Sequence, residues 1–155
     1  MHDNERLVRS LYEALGRGDG EGMSGCYTSG ASFSDPVFPA LAGAEVGDMW
    51  RMLCARAGGI RVEVAHIIAD EATGSADWQA WYSFSATGRT VHNRVHAEYR
   101  FRDGRIFTHV DDFDLWRWSR QALGLPGALF GWSSLLQRKV RGQAAVSLER
   151  FRATH

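Results

Sequence analysis

The sequence predicts an α+β fold in which helices come first and a curved antiparallel sheet follows, its concave face covered by those helices, with a C-terminal helical extension beyond. Three observations predict it. Apolar residues recur at helical spacing before residue 58, the period changes to two from Ile60 onward, and a helical stripe returns after residue 116. Helices segregated to one face of an antiparallel sheet form a two-layer α+β arrangement.

Taken in order, "NERLVRSLYEALG" places Leu7, Val8, Leu11, Tyr12 and Leu15 on one helical face behind an Asp3 or Asn4 cap. The glycine-rich "GDGEGMSGCYTSG" is poor in helix formers, yet Asp19 can cap a short second helix from Glu21 to Tyr27. In "SFSDPVFP" the proline removes a backbone donor and pushes its predecessor toward extended geometry, so Asp35 ends a short strand with its side chain in a fixed direction. That carboxylate is either a turn cap or a tuned acid or base. A third helix carries Val46, Met49, Trp50, Leu53 and Cys54 on one stripe and stops at Gly58 and Gly59.

Four strands follow. "IRVEVAHI" alternates, with His66 in the phase of Ile60, Val62 and Val64. The next strand sets Trp78, Ala80, Tyr82 and Phe84 on one side, and the third sets Val91, Val95, Ala97, Tyr99 and Phe101 there, leaving His92, Arg94, His96, Glu98 and Arg100 on the opposite face. In "RIFTHVDDFDLW" the inward phase is Phe107, His109, Asp111 and Phe113, and Ile106, Thr108, Val110, Asp112 and Asp114 point outward. The short glycine joins "ATGRT" and "RDGR" make these strands an antiparallel meander. The tail is broken at Pro126 and Gly127, and residues 128–153 then place Leu129, Trp132, Leu136, Val140, Ala144, Leu148 and Phe151 on one stripe that must pack on something.

At 155 residues and 45% hydrophobic content, one core suffices. No basic start leads into an apolar run and no apolar span reaches about 18 residues, so neither a signal peptide nor a spanning helix is indicated and a cytoplasmic location is expected. Cys26 and Cys54 lack any CxxC or zinc-type spacing; they read as buried thiols, with no disulfide, metal or cofactor expected. The net charge of zero hides an asymmetry. Residues 1–115 hold 11 Arg against 17 acidic side chains, net −6, while residues 116–155 hold seven basic side chains against Glu149 alone, net +6. The tail's cations are not interleaved with stacking aromatics, which argues against nucleic acid; a solvated face, or docking onto acidic surface of the same or another subunit, is the better reading. The partners expected are a small hydrophobic molecule and a second copy in a homodimer, with no nucleic acid and no membrane.

The element order, the "GD" ending the first helix, the "CY" before the first strand, "FSDPVF" and the strand pair meeting at "YRFRDGRI" resemble the nuclear transport factor 2-like fold, also called the cystatin-like roll. Within it they are most similar to the ketosteroid isomerase and SnoaL-like polyketide cyclase branch. The resemblance implies a cone-shaped sheet over residues 1–115; residues 116–155 go beyond it, and their apolar stripe, short Pro-Gly tether and opposite charge lead to the expectation of an extension that folds back on the same domain and contributes to a homodimer. It also implies an aspartate general base, which falls on Asp35, taking a proton from carbon beside a carbonyl and returning it elsewhere. Phe33, Val37 and Phe38 around it would desolvate the carboxylate and raise its pKa. The family's oxyanion tyrosine falls on Leu11, with Tyr12 one place off, and its oxyanion aspartate falls on Ala97.

His109 and Asp111, inward on the last strand, are expected to join Asp35 as an acid/base set or, equally, to form a buried structural pair. SnoaL-like cyclases depend on a pocket aspartate, which keeps Asp111 in view. The substrate-binding candidates are Tyr12, Tyr27, Trp50, Trp78, Tyr82, Phe113 and Trp116, a lining suited to a flat apolar molecule with one or two oxygens. Two functions follow: cofactor-free isomerisation or cyclisation of a hydrophobic carbonyl compound, or non-catalytic small-molecule binding or interaction on the same fold.

Overall fold

The computed structural model describes residues 1–155. Helix α1 (Asp3–Gly16) buries Val8, Leu11, Tyr12 and Leu15, the expected stripe. Its cap is one residue earlier than expected: His2 Nδ1 accepts the Asn4 N–H at 3.0 Å. Asn4 is thereby free to turn inward, and its amide donates to the carbonyls of Asp70 and Glu71. Helix α2 (Gly20–Ser24) is capped by Asp19 but ends before Tyr27, which opens strand β1 (Tyr27–Ser34). Strand β2 (Leu41–Ala42) and helix α3 (Ala44–Arg56) follow, with Val46, Met49 and Trp50 buried.

Strands β3 (Arg61–Ala69), β4 (Thr73–Ser83), β5 (Thr90–Arg102) and β6 (Arg105–Asp112) form the antiparallel meander. The curved sheet runs β2-β1-β6-β5-β4-β3. Its single parallel pairing is the one that matters for chemistry. Strand β1 runs beside β6 with Phe33 opposite His109 and Ser34 opposite Val110, so the next step of the register brings Asp35 alongside Asp111.

Two bulges shift the expected phases. Between β5 and β6 the register slips from Arg100–Thr108 to Phe101–Ile106, so Phe107 is the extra residue. Ile106, expected outward, is fully buried, and Phe107, expected inward, lies with its ring 3.8 Å from the Arg102 guanidinium carbon. A second slip between Ala65 and Ile68 leaves His66 with a φ of 54°. His66, expected inward or at the rim, is instead exposed, 2.9 Å from Asp77 Oδ2.

Helices α4 (Leu115–Leu123), α5 (Leu125–Phe130) and α6 (Ser134–Thr154) close the chain. The break falls at Gly124, whose φ of 73° favours glycine, whereas Pro126 sits in the first turn of α5. Gly127 lets α5 lie directly on the α4 backbone, because a Cβ there would stand 1.9 Å from the Ser119 carbonyl oxygen. The single stripe expected over residues 128–153 is divided. Leu148 and Phe151 enter the main core, and Val140 joins Val91, Leu115, Trp118 and Ala122 in a smaller cluster. Leu129 and Trp132, expected to be buried with them, are exposed, because the turn between α5 and α6 takes them off the α6 face.

Candidate active site

The sheet's concave face, α3, α4 and α6 enclose a cavity of about 270 Å³, with 19 hydrophobic residues among the 27 that line it. Such a lining excludes ionic substrates unless a counter-charge is present, and Asp35 and Asp111 supply the cavity's acidic groups. Asp35 both caps a turn and faces the cavity. Its Oδ1 accepts the N–H groups of Val37 at 2.7 Å and Phe38 at 2.6 Å, while Oδ2 has no protein partner. Burial pushes its pKa up to about 7, with the neighbouring charge of Asp111 adding to the rise and the two backbone N–H groups opposing it. A carboxyl group so tuned can take and return a proton near neutral pH.

Asp111 borders the same cavity, but His109 does not reach it. The His109 imidazole is fully buried behind Asp111, with Nε2 2.7 Å from Asp111 Oδ1 and Nδ1 2.8 Å from the Tyr27 hydroxyl. The Trp50 indole N–H donates to that hydroxyl oxygen at 2.9 Å, and Trp78 Nε1–H donates to Asp111 Oδ1 at 3.2 Å. The ring thus bridges the Tyr27 hydroxyl on its Nδ1 side and the Asp111 carboxyl group on its Nε2 side. The expectation that His109 enters the cavity opposite Asp35 is therefore corrected: the parallel β1 strand packs over it, with the Phe33 ring edge-on at 4.9 Å.

Of the substrate-binding candidates, Trp50, Trp78, Tyr82 and Phe113 line the cavity. Tyr12 and Tyr27 do not. Tyr12 is buried, with its hydroxyl bonded to that of Tyr99, and Tyr27 is spent on the His109 chain; burial raises the pKa of all three tyrosines. Trp116 lies on the outer surface, its N–H donating to the Ala128 carbonyl at 3.3 Å. From α4 it is Trp118 that reaches the cavity, a residue sequence reasoning missed. Its N–H donates to the Tyr82 hydroxyl oxygen at 2.9 Å, leaving the Tyr82 proton free to be donated onward. The spacing of Leu115, Trp118 and Ala122 at i, i+3 and i+7 was the available signal. Burial pushes the Tyr82 pKa up to about 12, with Asp35 contributing, so the hydroxyl keeps its proton.

Leu11 and Ala97, where the oxyanion donors would fall, are both fully buried apolar side chains. Cys26 and Cys54 are free thiols, and no three His, Cys, Asp or Glu side chains converge on a point where a metal could sit. No helix is long and apolar enough to cross a membrane.

A family model described as the SnoaL-like domain matches residues 8–109. Among solved structures, an NTF2-like protein of unknown function from Burkholderia pseudomallei is 22% identical with a TM-score of 0.64, over 74% of this chain and 92% of that one. An LEH-like epoxide hydrolase from M. tuberculosis is 21% identical with a TM-score of 0.65, over 86% and 95%. A Xanthomonas campestris protein described as a polyketide cyclase is 21% identical with a TM-score of 0.62, over 77% and 96%. At these identities the likeness is one of fold, the nuclear transport factor 2-like fold expected from the element order. No protein of curated function matches the sequence.

Proposed function

This chain belongs to the SnoaL-like domain family, and from that premise we propose that it moves a proton on an apolar carbonyl compound without a cofactor, in an isomerisation or cyclisation, with Asp35 as general base. The observation that carries this reading is the Asp35 carboxyl group, raised to about 7 at a cavity wall with one oxygen unpartnered. Asp35 Oδ2 takes the proton from carbon beside the carbonyl, and the C–H electrons pass to the carbonyl oxygen as an enolate. Tyr82 donates its hydroxyl proton in a hydrogen bond to that oxygen, replacing the donors that Leu11 and Ala97 cannot provide. The Trp118 N–H supports the charge drawn onto the tyrosine oxygen. Asp35 then returns its proton to a different carbon, so no external acid is consumed.

The second reading, non-catalytic binding in the same cavity, is favoured by the apolar side chains at Leu11 and Ala97. One experiment separates the two. Steroid, polyketide and terpenoid ketones that quench tryptophan fluorescence are incubated with the protein in deuterated water, and hydrogen exchange beside the carbonyl is followed by NMR. Exchange that Asp35→Asn abolishes supports catalysis; tight binding with no exchange supports the binding module.

A further inference from the structure

The corner between α4 and α6 exposes apolar side chains that have no partner in the fold. Leu125, Leu129, Phe130, Trp132 and Leu135 fall within eleven residues, and each is between 53% and 75% exposed. Scattered exposed leucines are ordinary, but five large apolar side chains in one helix–turn–helix corner form a patch of the kind that marks an interaction surface. Its polar atoms are already satisfied. The Trp132 N–H donates to the Leu129 carbonyl at 2.8 Å and the neighbouring Trp116 N–H to the Ala128 carbonyl, so neither ring needs water.

Along the chain that forms the patch the charge has one sign. Arg120, Arg138 and Lys139 are exposed beside it, and between Asp114 and Glu149 the chain holds five cations and no acid. A two-fold contact through this corner would set Arg138 and Lys139 of one copy against those of the other, which opposes a symmetric dimer here. An anionic phospholipid surface answers both features: aromatic and leucine side chains enter the headgroup boundary while cations lie at phosphate level. We propose that the α5 corner, centred on Trp132 and Leu135, docks this protein on anionic membrane surfaces. The expectation of no membrane contact placed the whole stripe on this domain or a second copy, and Leu129 and Trp132 of that stripe are exposed.

The test sediments the full chain with vesicles of phosphatidylcholine alone or with about one third phosphatidylglycerol. At low salt the anionic vesicles should bind it about tenfold or more tightly than the neutral ones, and added salt should erase the difference. Trp132→Ser with Leu135→Ser should abolish sedimentation, and Arg138→Glu with Lys139→Glu should reduce it about tenfold or more. All four positions are exposed, so the melting temperature should not move. Failure to sediment with anionic vesicles, equal binding to both vesicle types, or binding that survives Trp132→Ser with Leu135→Ser overturns the proposal. So does a dimer, by light scattering, that this double variant splits, since a second copy would then cover the corner.

Discussion

His109 Nε2 lies 2.7 Å from Asp111 Oδ1, yet only the carboxylate borders the cavity. The imidazole is the middle of a buried chain from Trp50 through Tyr27 to Asp111, in which the Trp50 nitrogen, the Tyr27 hydroxyl, both ring nitrogens and Asp111 Oδ1 are hydrogen-bonded. Such a chain fixes the Asp111 side chain without asking His109 to touch a ligand. Its role in any reaction is to position Asp111.

From this it follows that His109→Gln, which keeps some of the polar contacts, should lower carbonyl turnover by no more than about 10²-fold, whereas Asp35→Asn abolishes it. His109→Leu should lower stability by about 1–3 kcal/mol, since Tyr27 and Asp111 each lose a partner in a buried setting. Steady-state rates and urea unfolding check both. A loss of turnover in His109→Gln as complete as that in Asp35→Asn would place His109 in the proton path itself.

Tyr82→Phe removes a donor aimed at the cavity while leaving the ring in place. A single preorganised donor to a developing oxyanion is worth about 10²–10³-fold in turnover, so kcat should fall by that order with KM nearly unchanged. The same change in KM as in kcat would mean that Tyr82 holds the ground state and not the enolate. Trp118→Phe should give a smaller loss, because the tyrosine keeps its own proton to donate.

The raised Asp35 pKa also ties stability to pH. Its folded value of about 7 lies above the ordinary carboxyl value of 3.8, so the native state binds the proton more tightly than the unfolded chain does. The protonated carboxyl's contribution is therefore full below about 3.8, is lost as pH rises toward about 7, and is gone above it. Because Asp35 is partly open to the cavity, about 1–3 kcal/mol is the expected size. Asp35→Asn, whose Oδ1 still accepts from Val37 and Phe38, should raise the melting temperature at pH 8 and leave it unchanged near pH 4. A variant less stable at both pH values would show that the turn cap outweighs the desolvation.

Most of this architecture was readable because period-two and period-3.6 stripes survive in a single chain. Trp78, Ala80, Val95, Ala97 and Tyr99 all lie on the face their spacing assigned. Several misplaced residues on the sheet share one cause. Bulges at Phe107 and His66 insert a residue that no apolar count reveals: Ile106 takes the inward place expected of Phe107 while His109 and Asp111 keep theirs, and beyond His66 the inward phase passes to Ile67 and Ala69. The meeting of Asp35 with Asp111 depended on a parallel pairing between the first and last strands, 76 positions apart by their Ser34–Val110 register, which local periodicity does not encode. Trp116 and Trp118 were exchanged for a different reason: Leu115, Trp118 and Ala122 share the buried stripe of α4, and Trp116, two residues from Trp118, falls on the opposite side of the helix.

The last prediction concerns Arg141, which lies beyond the 8–109 family match. Its Nε–H donates to the Pro36 carbonyl at 2.8 Å, pinning α6 to the loop that holds Asp35. Helix α6 is anchored further along by Leu148 and Phe151 in the core and by Arg152, 2.9 Å from Asp48, while Val140 and Ala144 wall the cavity. Arg141→Met keeps the stem and removes the hydrogen bond, so water gains access around Asp35. Burial is the largest cause of the raised Asp35 pKa, and loosening the loop should bring that pKa down toward the ordinary carboxylate range. Were Arg141 acting as a nearby cation, its loss would instead drive the carboxyl pKa up, because an opposite charge favours the ionised form. The direction in which the acid limb of the pH–rate profile moves decides between them: toward lower pH for a latch on the loop, toward higher pH for a charge partner.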